Sequence, residues 1–313
     1  MTRQSIRGLA ALVLSFSLAL LGNFSSAMAG DTRAAPALWK IDTGHGTIYL
    51  FGSFHILPRD LQWRTPELDA ALNTAQQLDF EINMDEAQDP ARMGALIRQF
   101  GFLPEGQSLH RMLATEYRAK LDAELAELGL PPQGVDRMRP WLVALTITSL
   151  SALKHTSKPG EKLDPGAATG DHGGADIQLW NWAKANNKLR GALETLDSQI
   201  HIFSDLSREQ EIQYLIVTLQ QTGKLDDDLE KLLQAWASGD LNSLDKELNA
   251  DANQFPQLHQ ALLTDRHAKW IPEIEAMMND GRNHVVIVGA AHLVGKGSVI
   301  DLLRSKGIRV AGP

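Results

Sequence analysis

The sequence of 313 residues contains no cysteine. A chain without thiols forms no disulfides, so its stability must come from its core, and any bound metal must be held by histidine and carboxylate side chains. The sequence also lacks a Gly-x-Ser-x-Gly elbow, a phosphate-binding loop and a His-Glu-x-x-His motif. These absences exclude the commonest classes of hydrolase and nucleotide-binding protein.

The chain also lacks an excess of basic residues, with 30 Lys and Arg against 38 Asp and Glu. The formal net charge is -8 at pH 7, and it becomes -10 when the leader segment that carries Arg3 and Arg7 is left out. Nucleic acids and anionic membrane surfaces attract proteins through clustered Lys and Arg side chains. We therefore expect neither nucleic acid nor an anionic membrane surface as a partner.

No apolar run near the amino terminus is long enough to span a membrane. The run Leu9–Leu21 has 13 residues, whereas a membrane-spanning helix needs about 20. The two arginines precede this run, and a small-x-small cleavage site at 27–29 follows it. This arrangement predicts that residues 1–29 are a cleaved secretory signal peptide, that the mature chain begins near Gly30, and that the protein is exported to the periplasm. An uncleaved membrane anchor is the alternative.

The pattern Gly-x-x-His occurs twice, each time after an apolar run rich in β-branched residues. The two copies are TIYLFGSFHIL near the amino end and HVVIVGAAHLV near the carboxyl end. Such a run predicts a strand buried on both faces, which Gly52 or Gly289 then ends with a tight turn. His55 and His292 are therefore expected just beyond the carboxyl ends of two core strands, where open α/β sheets bind their ligands. The pair predicts one site assembled from both ends of the chain, with the histidines as metal ligands or as a general base.

Two glutamates accompany further predicted strands. Glu81 interrupts the apolar strand Gln77–Asn83, and Glu194 comes just after the strand Lys188–Leu193. A buried carboxylate is costly unless it is paired or bound to a cation, although Glu81 could instead face solvent on an edge strand and Glu194 could be a helix-cap partner. Two histidines with one or two glutamates suit Mn, Fe, Co or Zn with open positions for water.

Hydrophobic periodicity and turn residues predict an α/β domain over residues 30–313, with strands at both ends and a large helical insertion between them. The first predicted elements are a hairpin (Leu38–Asp42 with Thr47–Phe51), the helical insertion (about 90–155) and a glycine- and proline-rich loop (155–174). Two later helical stretches (Ser204–Trp236 and Phe255–Met278) and a last strand (Val285–Val288) follow.

Five blocks of the chain, in this order, are similar to the TraB/GumN family, whose animal relatives include the Tiki membrane metalloproteases. The blocks are LWKI…GTIYLFGSFHILP, LDFEIN, GADIQLWNWAKANNKLRGALETLDSQ, LLTDRHAKWIPEI and VVIVGAAHLVGKGSVIDLLRSKGIRV. The resemblance covers nearly the whole mature chain and places weight on Asp176, Glu194, Gln199 and Arg266. One position departs from the family, whose helix commonly reads Arg-Asn, because here Arg266 is followed by His267.

The resemblance also implies a fold. The family is similar to a wider superfamily that includes erythromycin-esterase-like and ChaN-like haem-binding proteins. That kinship implies a mixed central β-sheet with helices on both faces and a cleft at one sheet edge. Because one fold serves several chemistries, the fold by itself does not identify the reaction.

The resemblance to Tiki implies an exported, metal-dependent hydrolase, a peptidase, whose substrate is a peptide or protein. His55, His292 and Glu81 would hold a divalent cation (Mn, Co, Fe or Zn), with Glu81 as a ligand or as the general base. Arg266 would stabilise an oxyanion, and Glu194 would orient a histidine or complete the metal shell. The alternative is a protein that binds haem, a metal or a peptide in the same cleft without turnover.

Overall fold

The structure is a computed structural model that describes residues 34–55, 57–58, 61–156, 173–222, 225–248 and 256–313. The expected signal peptide, 1–29, and most of the glycine- and proline-rich loop, 155–174, lie outside the described residues. Within the described ranges, no helix is both long enough and apolar enough to cross a membrane.

Strands and helices follow one another along the described chain. The strands are β1 (Leu38–Asp42), β2 (Thr47–Ser53), β3 (Gln77–Phe80), β4 (Leu189–Ala192), β5 (His284–Gly289) and β6 (Val310–Ala311). The first helices are α1 (Pro66–Thr74), α2 (Met84–Ala87), α3 (Pro90–Phe100), α4 (Leu109–Met112), α5 (Thr115–Glu127), α6 (Pro132–Val135) and α7 (Pro140–Thr156). The later helices are α8 (Ala175–Ala185), α9 (Leu196–Ser204), α10 (Arg208–Gln221), α11 (Leu225–Ser238), α12 (Leu241–Leu248), α13 (Pro256–His259), α14 (Asp265–Met277) and α15 (Val299–Ser305).

The strands form one mixed sheet in the order β4-β3-β5-β2-β1-β6. The four strands β4, β3, β5 and β2 run parallel to one another, whereas β1 is antiparallel to both of its neighbours. The prediction of an α/β fold with a mixed sheet is therefore confirmed. The two strands that carry Gly-x-x-His, β2 and β5, are direct neighbours, so their carboxyl ends lie at the same sheet edge.

The centre of the sheet is apolar and closed to solvent. Every residue of β5 is buried, as expected for a continuous run of β-branched residues in a parallel sheet. In the register of β2 and β5, Gly52 lies opposite Val288, and Gly289 lies opposite Ser53. A Cβ atom at Gly52 would lie only 3.0 Å from the Cα of Ala290. The glycine therefore allows the turn after β5 to approach β2 closely.

The third strand is shorter than the apolar pattern predicted. It ends at Phe80 rather than at Asn83, because Asn83 caps α2 by accepting hydrogen bonds from the backbone N–H of Asp85 and of the residue after it. A side-chain cap of this kind draws the chain out of the sheet and into a helix. Glu81 is consequently the first residue after β3, not a residue within it.

Two predicted long helices are interrupted. The stretch Ser204–Trp236 contains the end of α9, then α10 and α11, because Ser207 begins α10 with a reciprocal capping box. The stretch Phe255–Met278 consists of α13, a π-helical segment Gln260–Thr264 and α14. Hydrophobic periodicity alone does not distinguish one long helix from shorter helices joined by caps or wider turns.

Candidate functional site

Each of the four parallel strands ends next to one ionisable side chain of the expected site. Glu81 directly follows β3, and Glu194 is the second residue after β4. His55 is the second residue after β2, and His292 ends the 3-10 turn that follows β5. Because parallel strands place their carboxyl ends at one edge, the sheet order brings these four side chains to the same edge from distant parts of the sequence.

Arg266, near the start of α14, lies between the two glutamates. Its Nη2 donates to Glu81 Oε2 at 2.5 Å, and its Nε donates to the two oxygens of Glu194 at 2.9 and 3.2 Å. The three side chains are only 3, 7 and 6% exposed. Burial opposes the charge of Arg266, but the two carboxylates outweigh burial and raise its pKa above the ordinary value. Arg266 is therefore a permanent buried cation.

Trp270 covers one side of this ion-pair cluster. Its indole N–H donates to Glu194 Oε1 at 2.9 Å. The centroid of its rings lies 4.7 Å from the guanidinium carbon of Arg266 and 4.5 Å from the ring centroid of His292. Arg266 and Trp270 are four residues apart, so α14 presents both on one face. The cation–π contact and the indole hydrogen bond hold Arg266 and Glu194 in place.

Both carboxylate oxygens of Glu81 have fixed partners. Oε1 accepts a hydrogen bond from the backbone N–H of Gly289 at 2.6 Å, and Oε2 accepts from Gln199 Nε2 at 3.3 Å in addition to Arg266. Oε1 also lies 3.6 Å from His292 Nε2. The alternative in which Glu81 faces solvent is wrong, because the residue is 6% exposed and fully bonded within the protein.

His292 and His267 form a hydrogen-bonded pair behind Arg266. His292 Nε2 lies 2.9 Å from Arg266 Nη1, and His292 Nδ1 lies 2.9 Å from His267 Nε2. His267 Nδ1 in turn lies 2.8 Å from the carbonyl oxygen of Gly297. A continuous series of hydrogen bonds thus leads from the guanidinium through two imidazoles to a backbone carbonyl.

Both imidazoles of this pair are neutral at neutral pH. Burial lowers the pKa of His292 well below its ordinary value of 6.5, and the charges of Arg266, His267 and His55 lower it further. Burial also lowers the pKa of His267 to about 4, although its hydrogen bond to the Gly297 carbonyl acts in the opposite direction. Because β2 and β5 are paired in parallel, the two Gly-x-x-His histidines follow the carboxyl ends of neighbouring strands.

The side chain of His55 is oriented by the first turn of α8. His55 Nδ1 lies 2.6 Å from Asp176 Oδ2, and the backbone N–H of Ala175 donates to the carbonyl of Phe54 at 2.9 Å. A Cβ atom at Gly174 would lie 2.4 Å from the Cα of His55. The start of α8 therefore contacts the backbone of His55 so closely that only glycine fits at that position.

Two buried oxygen atoms beside these residues are unsatisfied. Asp176 Oδ1 and Gln199 Oε1 have no hydrogen-bond partner among the described residues. Among the described residues of this cluster, the two carboxylates of Glu81 and Glu194 also share one guanidinium, that of Arg266. Buried acceptors without donors and an uncompensated carboxylate both favour a bound cation or ordered water at this edge.

A metal centre is not preformed in the described part of the chain. No group of three or more His, Cys, Asp and Glu side chains there is arranged to hold a metal ion. The guanidinium of Arg266 contacts both Glu81 and His292, which are two of the three expected ligands. A cation bound by these two residues would require Arg266 Nη1 to leave His292 Nε2.

The structure brings most of the expected site together. Glu81, Glu194 and His292 all contact Arg266 directly, and His55 follows the neighbouring strand β2 at the same sheet edge. Glu194 was expected to orient a histidine or to complete a metal shell. Its observed side-chain partners are Arg266 and Trp270, so it orients the arginine.

Three residues that contact the site were given no function in the sequence-based prediction. Trp270 could have been found from its four-residue spacing to Arg266, which places both on one helix face. His267 drew attention only as a departure from the family pattern. No local pattern indicates that Gly174 contacts His55, because that contact depends on how α8 approaches the sheet.

A π-helical turn precedes the two consecutive site residues of α14. The segment Gln260–Thr264 ends two residues before Arg266, and both Arg266 and His267 are buried, at 3 and 2% exposed. Successive residues of a helix point about 100° apart. A π turn changes the direction of the side chains that follow it and is frequent at functional sites.

The comparisons with known proteins agree with this arrangement of motifs. The sequence profile of the TraB/PrgY/gumN family matches residues 37–311, which is most of the chain. The chain belongs to the TraB/PrgY/gumN family. The predicted family resemblance is thereby confirmed. No solved structure matches the chain at a significant level.

Relatives of this family member occur in bacteria and in vertebrates. The chain is 26% identical over 280 residues to YbaP of Escherichia coli (strain K12), a protein described as uncharacterized, and the match covers 89% of this chain and 96% of YbaP. It is 25% identical over 316 residues to metalloprotease TIKI2 of Danio rerio, covering 84% of this chain and 57% of TIKI2. It is 24% identical over 327 residues to metalloprotease TIKI1 of Xenopus tropicalis, covering 87% of this chain and 60% of TIKI1.

Proposed function

We propose that this family member is an exported, metal-dependent hydrolase that cleaves peptide bonds. The observation that carries the proposal is the meeting of four parallel strand ends at one sheet edge, which carry His55, His292 and Glu81 beside a buried arginine. The vertebrate relatives named as metalloproteases support the choice of reaction and of a peptide or protein substrate.

The chemistry of the donor set fits a divalent cation. Neutral imidazoles and a carboxylate are the ligands that Mn, Fe, Co and Zn share, and the chain has no thiol that would select a softer ion. The uncompensated carboxylate and the unsatisfied oxygen of Asp176 point in the same direction. His55, His292 and Glu81 would hold the cation once Arg266 has withdrawn from His292. When bound, such a cation would supply the Lewis acidity that lowers the pKa of a bound water toward about 7.

The surrounding side chains would then act on the substrate. Arg266 is a permanent cation held at its Nε by Glu194 and bonded through Nη1 and Nη2 to His292 and Glu81. Once Nη1 has left His292, it would become the donor that stabilises an oxyanion. If Glu81 is not a metal ligand, it is the carboxylate that would accept a proton as general base, and the Gly289 N–H fixes its direction. Asp176 fixes the orientation of His55.

The test is hydrolysis of a peptide library by the purified protein, followed by mass spectrometry. The protein is assayed after chelation and after addition of Mn, Co, Fe or Zn. We expect cleavage that disappears with the chelator, returns with one of these metals, and falls by about 100-fold or more in His55→Ala and His292→Ala. His45→Ala is the matched control, because His45 is exposed in the β1–β2 turn at the opposite sheet edge. Equal cleavage by wild type, His55→Ala and His292→Ala would refute the proposed mechanism.

The position of Arg266 favours one alternative, a protein that binds a ligand in this cleft without turnover. The guanidinium bonds to Glu81 and His292, two of the three expected metal ligands, so the network forms with both of these side chains engaged. Under this alternative, haem would produce a visible absorption band that is lost in His55→Ala, and no peptide would be cleaved with any metal. Under the hydrolase proposal, haem has no effect that depends on His55.

A further inference from the structure

The series of hydrogen bonds from Arg266 to Gly297 has only one consistent arrangement of protons. Its two ends are unambiguous, because the guanidinium of Arg266 can only donate and the carbonyl of Gly297 can only accept. Because Arg266 Nη1 donates, His292 Nε2 must accept with its lone pair, so the ring proton of His292 is on Nδ1. His292 Nδ1 therefore donates to His267 Nε2, and His267 Nδ1 carries the proton that is donated to the Gly297 carbonyl.

We propose that His267 is a positioning residue that holds His292 in its Nδ1–H tautomer and fixes the direction of its Nε2 lone pair. The role of that lone pair in hydrolysis rests on the proposed function, whereas the tautomer itself does not. His267 acts through His292 and has no direct contact with the reacting atoms. Its acceptor nitrogen replaces the carboxylate or carbonyl that usually receives the second N–H of a functional histidine.

Local geometry fixes the turn whose Gly297 carbonyl contacts His267. Gly297 has a φ of 77°, a left-handed conformation that side chains rarely adopt. Its N–H donates to Asp301 Oδ2 at 2.8 Å, which anchors the turn to the first turn of α15. The carbonyl is thereby held in a fixed direction toward His267, and the orientation is passed on to His292.

The two Gly-x-x-His histidines then share one design. His55 uses Nδ1 to contact the carboxylate of Asp176, and His292 uses Nδ1 to contact His267. In each case Nδ1 orients the ring, and Nε2 is the nitrogen assigned to the site. The second motif therefore needs no carboxylate next to its histidine, because His267 Nε2 accepts the Nδ1–H of His292 as Asp176 does for His55.

The test compares two substitutions by a measurement that does not depend on activity. Selective ¹⁵N labelling of the ten histidines allows long-range proton–nitrogen NMR spectra that distinguish protonated from unprotonated ring nitrogens, with His292 assigned by loss of its signals in His292→Gln. In wild type we expect a protonated Nδ1 and an unprotonated Nε2. His267→Leu leaves the Nδ1–H of His292 without its acceptor and should populate the second tautomer as Arg266 Nη1 shifts away from Nε2. His267→Gln places an amide oxygen near the former Nε2 and should keep the single tautomer.

Activity and metal affinity provide the second readout. His267→Leu should lower metal affinity or kcat/KM by about 10–100-fold, and His267→Gln should recover most of that loss. A role in packing alone would give the opposite order, because leucine fills an apolar site better than glutamine. His110→Leu is the matched control, since His110 also uses both ring nitrogens, toward Asp136 and Asp122, outside the site. It should change neither the His292 spectrum nor the activity.

Failure of this proposal and failure of the proposed function are distinguishable. A wild-type His292 that is protonated on Nε2 overturns the role of His267, whatever the activity. A wild-type spectrum with the expected tautomer but no cleavage with any metal supports the role of His267 and refutes the hydrolase. If His267→Leu does not fold, the spectrum of wild type and the comparison with His267→Gln still decide the matter.

Discussion

The charge balance around Arg266 is the most consequential feature at the scale of single residues. One guanidinium lies between two buried carboxylates, those of Glu81 and Glu194, and the neighbouring imidazoles are neutral. Removing the cation would leave two carboxylates buried together without compensation. Removing the carboxylate of Glu194 would leave one ion pair, between Arg266 and Glu81. The two changes should therefore have very different effects on stability.

We predict that Arg266→Met lowers the free energy of unfolding by about 3–5 kcal/mol, because it leaves uncompensated buried charge. Glu194→Gln should cost about 1 kcal/mol, because the amide oxygen still accepts from Arg266 and Trp270. Urea denaturation at neutral pH measures both values. Arg139→Met is the comparison away from the site: Arg139 is half-buried and pairs with the buried Glu211, so its loss leaves one unpaired carboxylate where Arg266→Met leaves two, and the loss of stability should be smaller. Equal losses in Arg266→Met and Glu194→Gln would contradict the charge balance described here.

At the scale of elements, the start of α8 determines where His55 lies. The helix begins against the backbone of Phe54 and His55, and its first turn supplies Asp176 to the His55 ring. An acidic side chain is favoured at this end of a helix by the helix dipole. The glycine that precedes the helix is what allows so close an approach.

Gly174→Ala should separate α8 from His55. The new Cβ would lie 2.4 Å from the Cα of His55, so we expect a loss of about 1–3 kcal/mol in stability from overpacking. Activity should also fall if His55 is used as proposed. Thermal unfolding and the peptide assay check the two effects.

Gly134→Ala in α6 is the matched control, because its Cβ would meet only Pro131 Cγ at 3.5 Å. This substitution should be neutral or should stabilise the protein by up to about 1 kcal/mol. Identical behaviour of the two variants would argue against the close contact.

The elements also show where periodicity is a reliable guide. The continuous apolar runs of β2 and β5 gave correct strands, because residues buried on both faces must be apolar throughout. The end of β3 was placed too late, since the cap formed by Asn83 outweighs the apolar residues before it. The π turn before Arg266 left no local pattern that would separate it from an ordinary helix.

At the scale of the whole molecule, the last long strand of the chain occupies the middle of the parallel strands. β5 lies between β3 and β2, so the site cannot form until the carboxyl-terminal part of the chain has joined the sheet. Contacts between residues so far apart in sequence carry a large loop-closure cost and favour slow folding. The site therefore depends on the insertion of β5 between β3 and β2.

Export is a prediction for the whole chain. When the full sequence is expressed in a Gram-negative bacterium, we expect the periplasmic fraction to contain a protein whose amino terminus is Gly30 by mass spectrometry. Replacing both Ala27 and Ala29 by leucine should block cleavage, because the peptidase site accepts only small residues there. Replacing Ser25 and Ser26 by alanine is the control and should leave cleavage unchanged. An intact chain that stays in the cytoplasm would disprove the signal peptide.

The sequence by itself determined the family, the α/β class and most of the residues at the site. It did so because buried parallel strands require apolar runs, and because a histidine or glutamate after such a run lies at the sheet edge. The tertiary structure alone decided that β2 and β5 are neighbours and that Arg266 joins Glu81, Glu194 and His292. It also decided that His267 accepts from His292. These contacts depend on strand order and on the direction from which helices approach the sheet, and neither is encoded in any local pattern of residues.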